Sequence, residues 1–467
     1  MRRTKIVATL GPASIDRTTI VALIDAGADV FRLNFAHADP ETHRATAERV
    51  REAERESGRV VALLADLPGP KMRTGPVPGG EILLHPGQVF RLVPTAGADD
   101  PGCVSTTVPV SQLVSVGDEI FLADGQIILR VVRVDDGVTG EVLRGGLLRS
   151  GKGMHIPGAE RKVESFTPTD KAALDLACEI GVDIVGLSFV RSAHDVAAVK
   201  QRGADGARTP AVVAKIETRA AVEDLDEIVH VADAVMVARG DLGIQLPYRE
   251  VPLLQKTIIR TCNASGIPVI TATQMLESMT HSPLPTRAEV NDVANAVIDG
   301  TDALMLSEET AVGDAPANAV RVMGEIALEA EQCEEGNAAR TTARDDPISW
   351  AIARAAVQAS EELNVAAILC PTRSGATARR VASFRPSMPI LALDHSVEVL
   401  RPLTLVWGVV PFEVPFLAEE DVAARGIERA LDAARRAGLA EPGDRLTLVA
   451  GATPPAGSTD VVRIVTV

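Results

Sequence analysis

The stretch AVVAKIETRAAVEDLDEIVHVADAVMVARGDLG, residues Ala211 to Gly243, holds two short apolar runs that each end in charge. The first, Ala211 to Ile216, closes on Lys215 and Glu217; the second, Ala234 to Ala238, closes on Arg239 and Asp241. Apolar runs of this length, separated by a segment of helical pattern, read as consecutive parallel strands buried on both faces. Such strands deliver the side chains at their C-terminal ends to one face, so Lys215, Glu217, Arg239 and Asp241 converge there. Two carboxylates beside a lysine and an arginine suit a hard divalent cation next to an anionic, phosphorylated substrate. Taken alone, the same charges also fit an exposed ion-pair rim.

Working outward, Thr4 to Leu10, Ala28 to Phe35 and Arg59 to Asp66 read as strands, with helices near 17–26 and 40–57 between them. This βαβαβ rhythm starts a parallel sheet. From Leu67 to about Lys162 the rhythm breaks into Gly- and Pro-rich sequence with short β runs at 88–93, 119–122, 126–134 and 139–143. Asp124-Gly125 and Asp136-Gly137 are hairpin signals within it, and no helix is evident. The alternation resumes with a helix at 170–180 and strands at 183–189, 211–216, 234–238, 268–272 and 302–306. Three strands before the interruption and five after it make the eight βα units of a (β/α)8 barrel, although an open doubly wound sheet shares that periodicity. Position favours the barrel. Arg32 and Asn34, Asp66, Lys215 and Glu217, Arg239 and Asp241, Thr273 and Gln274, and Ser307 and Glu309 all sit at strand ends, the face on which such barrels build sites.

Beyond a polar stretch, Glu331 to Asp346, a helix at 348–363 and strands at 365–370, 390–393, 406–414, 445–449 and 461–467 suggest a mixed sheet. The expected fold is α/β: a (β/α)8 TIM barrel over 1–69 and 164–335, an inserted all-β lid over 70–163, and a C-terminal α/β domain over 336–467.

A chain of 467 residues, 46% hydrophobic and 24% charged, is too long for one core and globular in composition. A net charge of −16 argues against nucleic acid and anionic membrane surfaces as partners. Five scattered cysteines with no CxxC spacing fit thiols in a reducing compartment better than disulfides or a zinc site. Met1-Arg2-Arg3 leads into a strand with no apolar leader, so a cytoplasmic protein is expected.

Several words of the sequence carry a resemblance. They are Thr4–Ser14 (TKIVATLGPAS), Arg32–His37 (RLNFAH), Gly69–Gly75 (GPKMRTG), Ala214–Glu217 (AKIE), Met236–Gly243 (MVARGDLG), Ala272–Met279 (ATQMLESM), Pro285–Val297 (PTRAEVNDVANAV) and Met305–Ala311 (MLSEETA). In this order the chain resembles the pyruvate kinase family over essentially its whole length. The resemblance implies phosphoryl transfer from phosphoenolpyruvate to ADP, giving pyruvate and ATP, with Mg²⁺ or Mn²⁺. It puts Glu217 and Asp241 at metal-ligand positions, Lys215 facing the phosphoryl group and the enolate, and Arg32 at a phosphate contact. It also implies that Gly240 and Asp241 open a short helix aimed at the substrate carboxylate. Thr273 then lies beside the enol carbon, and Asn34, Arg73 and Lys152 serve the nucleotide. The family is usually homotetrameric.

Two features depart from or extend that pattern. Where the commonest members build a K⁺ site from oxygen-bearing side chains, this chain has Ala36 and Leu67, and Lys71 stands where a glutamate would be. A tethered ammonium in place of K⁺ implies a K⁺-independent enzyme. Thr372, Arg373, Ser374, Gly375 and Thr377 resemble the loop this family uses for phosphorylated allosteric effectors, and also fit a helix-capping turn. Barrel aldolases or lyases acting on phosphoenolpyruvate share the two-carboxylate metal site but leave the lid and the third domain unexplained. A non-catalytic sensing relative is opposed by the intact Lys215, Glu217, Asp241 and Thr273.

Overall fold

Strand β1 (Lys5–Leu10) is buried at every position, and it pairs in parallel with β2 (Val30–Asn34), which pairs with β3 (Ala62–Asp66). In the computed structural model these open a barrel; the described residues are 1–70, 72–94, 102–123, 125–159, 164–204, 209–333, 346–415, 419–451 and 459–467. The first two helices start and stop where side-chain chemistry dictates. Asp16 and Asp39 accept hydrogen bonds from Thr19 N and Thr42 N, and Gly27 and Gly58 close the other ends in the left-handed region.

The interruption is a β domain. It contains β4 (Glu81–Leu84), β5 (Val89–Val93), β6 (Cys103–Ser105), β7 (Glu119–Leu122), β8 (Ile127–Val134), β9 (Val138–Arg144), β10 (Gly146–Arg149) and β11 (Met154–His155). Six of them form one sheet in the order β11-β7-β8-β9-β5-β6, and β10 pairs with β4. The sequence reading captures β5, β7, β8 and β9 within a residue or two. It misses β4, β6, β10 and β11, which at two to four residues carry too few alternations to register. Of the two hairpin signals, Asp136-Gly137 joins β8 to β9, whereas Asp124 lies outside the described residues.

The barrel resumes with a helix at Pro168–Glu179, begun by a reciprocal Thr167–Asp170 capping box. Strands β12 (Ile184–Leu187), β13 (Ala211–Ile216), β14 (Ala234–Ala238), β15 (Val269–Ala272) and β16 (Ala303–Leu306) follow. The sheet closes as β1-β16-β15-β14-β13-β12-β3-β2, every neighbour parallel. The open doubly wound alternative is excluded by that closure. Alternate residues fill the interior, among them Val7, Val30, Leu64, Val213, Met236 and Ile270, while their neighbours pack outward against the helices.

The last segment forms a five-stranded mixed sheet: β17 (Ala367–Pro371), β18 (Ile390–Asp394), β19 (Val409–Glu413), β20 (Arg445–Ala450) and β21 (Val461–Thr466), in the order β19-β18-β17-β20-β21 with only β21 antiparallel. The strand expected over 406–414 starts later, because Trp407 is buried against the barrel and Gly408 turns the chain at φ 70°. The helix Glu419–Arg436 has no counterpart in the sequence reading. Its dense charge and interior Gly426 obscure the periodicity.

This sheet is fastened to the N-terminal face of the barrel. Arg385 Nη2 donates to Gly300 O (2.8 Å) and Asn263 Oδ1 (3.0 Å) and meets Asp302 Oδ2 at 3.2 Å, while its guanidinium lies 4.9 Å from the Trp407 ring. Arg3 stacks on the same indole at 5.1 Å. Lys5 Nζ donates to Val409 O at 2.6 Å, and Gly408 N to Arg3 O at 2.9 Å. No helix among the described residues is long and apolar enough to cross a membrane.

Candidate active site

The inward alternation of β1, β2, β3 and β13 continues one step past the apolar interior and delivers polar side chains to the C-terminal mouth. Thr9 follows Val7, Arg32 follows Val30, Asp66 follows Leu64, and Lys215 follows Val213. There they meet. Lys215 Nζ lies 2.9 Å from Glu217 Oε1 and 3.1 Å from Asp66 Oδ1, and donates to Ser188 Oγ at 2.8 Å. Arg32 grips the other side of Asp66, with Nε at 2.8 Å and Nη2 at 2.6 Å from Oδ2, and donates from Nη1 to Thr9 Oγ1 at 3.1 Å. An exposed ion-pair rim is therefore ruled out: Asp66 and Glu217 are 2% and 0% exposed.

The charges set one another's ionisation. Burial alone would lower the Lys215 pKa, but Asp66 and Glu217 outweigh it and hold the ammonium firmly protonated. Burial would raise Asp66, yet Lys215 and Arg32 keep it below the usual carboxylate range. Glu217 behaves differently. Burial pushes it up to about 7, opposed by Lys215 and helped by the negative charge of Asp241.

Asp241 stands on the next strand's continuation, a short helix at Arg239–Gln245. Gly240 N does not point into open space; it donates to Thr273 Oγ1 at 2.9 Å, and that hydroxyl donates to Ala272 O at 2.6 Å. Thr273 and Gln274 have φ of 71° and 55°. A left-handed conformation in a β-branched residue costs on the order of 1–3 kcal/mol and persists only where the surroundings enforce it. Glu309 contributes from the short helix Glu308–Ala311 after β16, accepting from Ser307 N at 2.7 Å and Leu276 N at 3.1 Å.

The donor set suits a divalent cation. Glu217 Oε2 is used by Phe189 N at 2.7 Å, whereas buried Oε1 and buried Asp66 Oδ1 face the Lys215 ammonium at 2.9 and 3.1 Å. A buried carboxylate oxygen that shares one ammonium with a second carboxylate keeps lone pairs that a hard cation can use. No cluster of three or more His, Cys, Asp or Glu able to hold a metal occurs among the described residues, so two carboxylates would leave most coordination positions to water and substrate. Asp241 lines two clefts. One lies toward the β domain with Met72, Phe121, His155, Phe189 and Gln245; the other is bounded by Gly240, Thr273, Ser307 and Glu309.

With this geometry in place, comparison with known proteins is specific. The family described as "Pyruvate kinase, barrel domain" matches residues 1–320, and "Pyruvate kinase, alpha/beta domain" matches 350–465. The chain belongs to the pyruvate kinase family. It is 42% identical over 472 residues to the pyruvate kinase of Geobacillus stearothermophilus, covering 99% of this chain and 80% of that one. Against the pyruvate kinase of Thermotoga maritima it is 39% identical over 470 residues, all of both chains. The Thermococcus litoralis pyruvate kinase is 44% identical over 423 residues, 88% of each chain. By family the chain is a phosphotransferase.

Not every residue singled out by the pyruvate kinase resemblance gathers at this mouth. Asn34 stays at its rim, at the end of β2 in register with Asp66, its Oδ1 accepting from Ala36 N at 3.2 Å. Arg73 and Lys152 sit together in the β domain; Arg73 donates to Gly151 O at 3.0 Å, and Lys152 is exposed. Lys71 lies outside the described residues. Thr372, Arg373, Ser374, Gly375 and Thr377 follow β17 in the C-terminal sheet, apart from the barrel mouth.

Three pyruvate kinase residues at this mouth escape sequence reasoning. Ser188 bridges Lys215 to the chain by donating to Leu67 O at 2.7 Å; Phe189 supplies the amide to Glu217; Thr9 braces Arg32. Ser188 and Phe189 directly follow β12, so the strand-end rule that picks out Lys215 points at them too. Gly69, at φ 68°, passes so close that a Cβ there would come within 2.7 Å of Ser188 Cβ. The β domain also touches this side: Gln245 Nε2 and His155 Nδ1 are 2.9 Å apart.

Proposed function

We propose that this pyruvate kinase family member transfers the phosphoryl group of phosphoenolpyruvate to ADP, giving pyruvate and ATP in glycolysis. The observation that carries the reading is the buried Lys215 ammonium, fixed between Asp66 and Glu217 beside Arg32 at the barrel mouth. Arg32, oriented by Asp66 and Thr9, binds the phosphoryl oxygens through its planar fork. An ADP β-phosphate oxygen attacks phosphorus as the bond to the enol oxygen breaks, and Lys215 stabilises the negative charge left on that oxygen. A proton then adds to the methylene carbon, with Thr273 in the relay. Glu217 and Asp241 would hold Mg²⁺ or Mn²⁺, which supplies Lewis-acid stabilisation of the same developing charge. Gly240 and Asp241 bound the substrate pocket, and Asn34, Arg73 and Lys152 serve the nucleotide under the β domain. That domain, residues 70–163, acts as a lid excluding water, between barrel segments 1–69 and 164–335 and a regulatory domain at 336–467. We further propose a cytoplasmic homotetramer.

The enzyme is proposed to work without K⁺. Leu67 is buried and Ala36 exposed, and neither offers a side-chain oxygen; Lys71 supplies the missing charge. Pyruvate formation from phosphoenolpyruvate and ADP with Mg²⁺ in K⁺-free buffer is expected to be rapid and little changed by added KCl. Turnover that appears only after KCl keeps the kinase and removes the role of Lys71. No turnover under either condition removes the kinase reading.

The 372–377 loop is proposed to bind a phosphorylated effector. Thr372 Oγ1 accepts from Gly375 N at 2.9 Å and Thr377 pairs with Thr459, which pre-forms the loop and leaves Arg373 and Ser374 exposed for an anion. Isothermal titration with fructose 1,6-bisphosphate, ribose 5-phosphate, glucose 6-phosphate and AMP is expected to give saturable heat with at least one. Arg373→Ala should abolish that heat, and silence with all four removes the proposal.

A further inference from the structure

Thr273 holds its hydroxyl at the mouth by adopting a backbone conformation it intrinsically disfavours, and Gln274 after it does the same. Something must trap that turn. The Arg239 side chain, projecting from the end of the neighbouring strand β14, does so: Nη2 donates to Thr273 O at 2.6 Å and Gln274 O at 3.3 Å, and Nε donates to Ala272 O at 3.3 Å. Three successive carbonyls are thus gathered by one planar group, a task that a lysine's single ammonium cannot reproduce. The guanidinium is itself anchored, with Nη1 at 2.7 Å from Asp292 Oδ1, and its side chain is 11% exposed. Gly240, the next residue in the chain, completes the clamp through its amide to Thr273 Oγ1.

We infer that Arg239 is a positioning residue for proton delivery: it fixes the left-handed Thr273–Gln274 turn and so sets where the Thr273 hydroxyl meets the reacting carbon. The inference rests on the proposed role of Thr273 in the relay. Arg239 is assigned no contact with the phosphoryl group or the metal, so its loss acts on the proton step first.

That step can be read apart from phosphoryl transfer. In D₂O, with Mg²⁺ and ATP, the enzyme exchanges the pyruvate methyl: a C–H bond breaks, the proton leaves through the relay, and solvent deuterium returns to carbon. Arg239→Lys is expected to slow this exchange, followed by proton NMR, by about 100-fold, the scale of a reacting group misplaced by about 1 Å. The KM for phosphoenolpyruvate should stay within about threefold. Asp292→Asn, which loosens the anchor without touching the turn, should slow exchange in the same direction by about tenfold, and guards against a folding defect in Arg239→Lys.

The decisive variant is Gln274→Asn in the Arg239→Lys background. Gln274 is exposed, and Asn tolerates the left-handed region far better than Gln. If Arg239 works by trapping the turn, the added Asn recovers exchange by about tenfold, measured against Gln274→Asn in an otherwise intact chain. Absence of recovery, or Arg239→Lys exchanging within threefold of the parent, overturns the inference. An unaltered chain that forms no pyruvate from phosphoenolpyruvate and ADP overturns the functional reading itself, which the first assay distinguishes.

Discussion

Lys215→Met lowers the rate of pyruvate formation by about 10³-fold, the upper range for removing one preorganised charge-stabilising donor. Methionine keeps the length of the stem and removes only the ammonium, so substrate access is unchanged and the loss falls on kcat. The same change strips the counter-ion from two carboxylates that are almost wholly buried. Leaving a buried charge uncompensated costs about 3–5 kcal/mol, so the midpoint of thermal unfolding falls as well. Arg32 still holds Asp66, which limits the damage to the Glu217 side. Steady-state kinetics and a thermal melt check both parts; activity within tenfold of the parent would remove Lys215 from the reaction.

Arg385→Met produces the largest stability loss expected at a position remote from the mouth, again about 3–5 kcal/mol at neutral pH. It leaves Asp302 buried beside Trp407, where the backbone amides of Val269 and Trp407 remain as its partners among the described residues. The pH dependence has a definite sign. Burial already holds the Asp302 carboxyl above the usual carboxylate range, against the pull of Arg385. The folded protein therefore binds that proton more tightly than the unfolded chain does, so the contribution is full below about pH 4 and is lost as pH rises through the raised value. Without Arg385 the rise is larger. The deficit of the variant relative to the parent should thus shrink on acidification, which denaturant melts at several pH values would measure. A deficit that grows toward low pH would contradict this account.

Most of the barrel is legible in the sequence because its strands are buried on both faces and read as uninterrupted apolar runs ending in charge. Lys215, Glu217 and Asp241 announce themselves that way, and so does their convergence. What escapes lies in contacts that no periodicity encodes. Ser188 looks like any hydroxyl until Lys215 is seen against it, and the positive φ of Thr273 leaves no mark on composition. In the β domain the two- to four-residue strands are fixed by their partners rather than by their own pattern. Trp407 shows the same limit from the other side: its apolar run looks like a strand, but the indole is claimed by two arginines and the strand starts after it.

The way β1 is held dictates an order of events during synthesis. Its outer neighbour is β16, with Lys5 opposite Ala303, and Lys5 Nζ and the Arg3 carbonyl find their partners only at Val409 and Gly408. At about 5–20 residues per second, roughly 20–80 s separate the appearance of the first strand from that of the residues that complete it. For most of that interval, until Ala303–Leu306 emerge, one flank of a wholly buried strand lacks its permanent neighbour on the ribosome-bound chain, the situation in which strand edges recruit wrong partners. The inserted β domain is under no such delay. Every strand pairing in it closes between Arg73 and His155, so it is able to reach its own topology while the barrel around it is still half made.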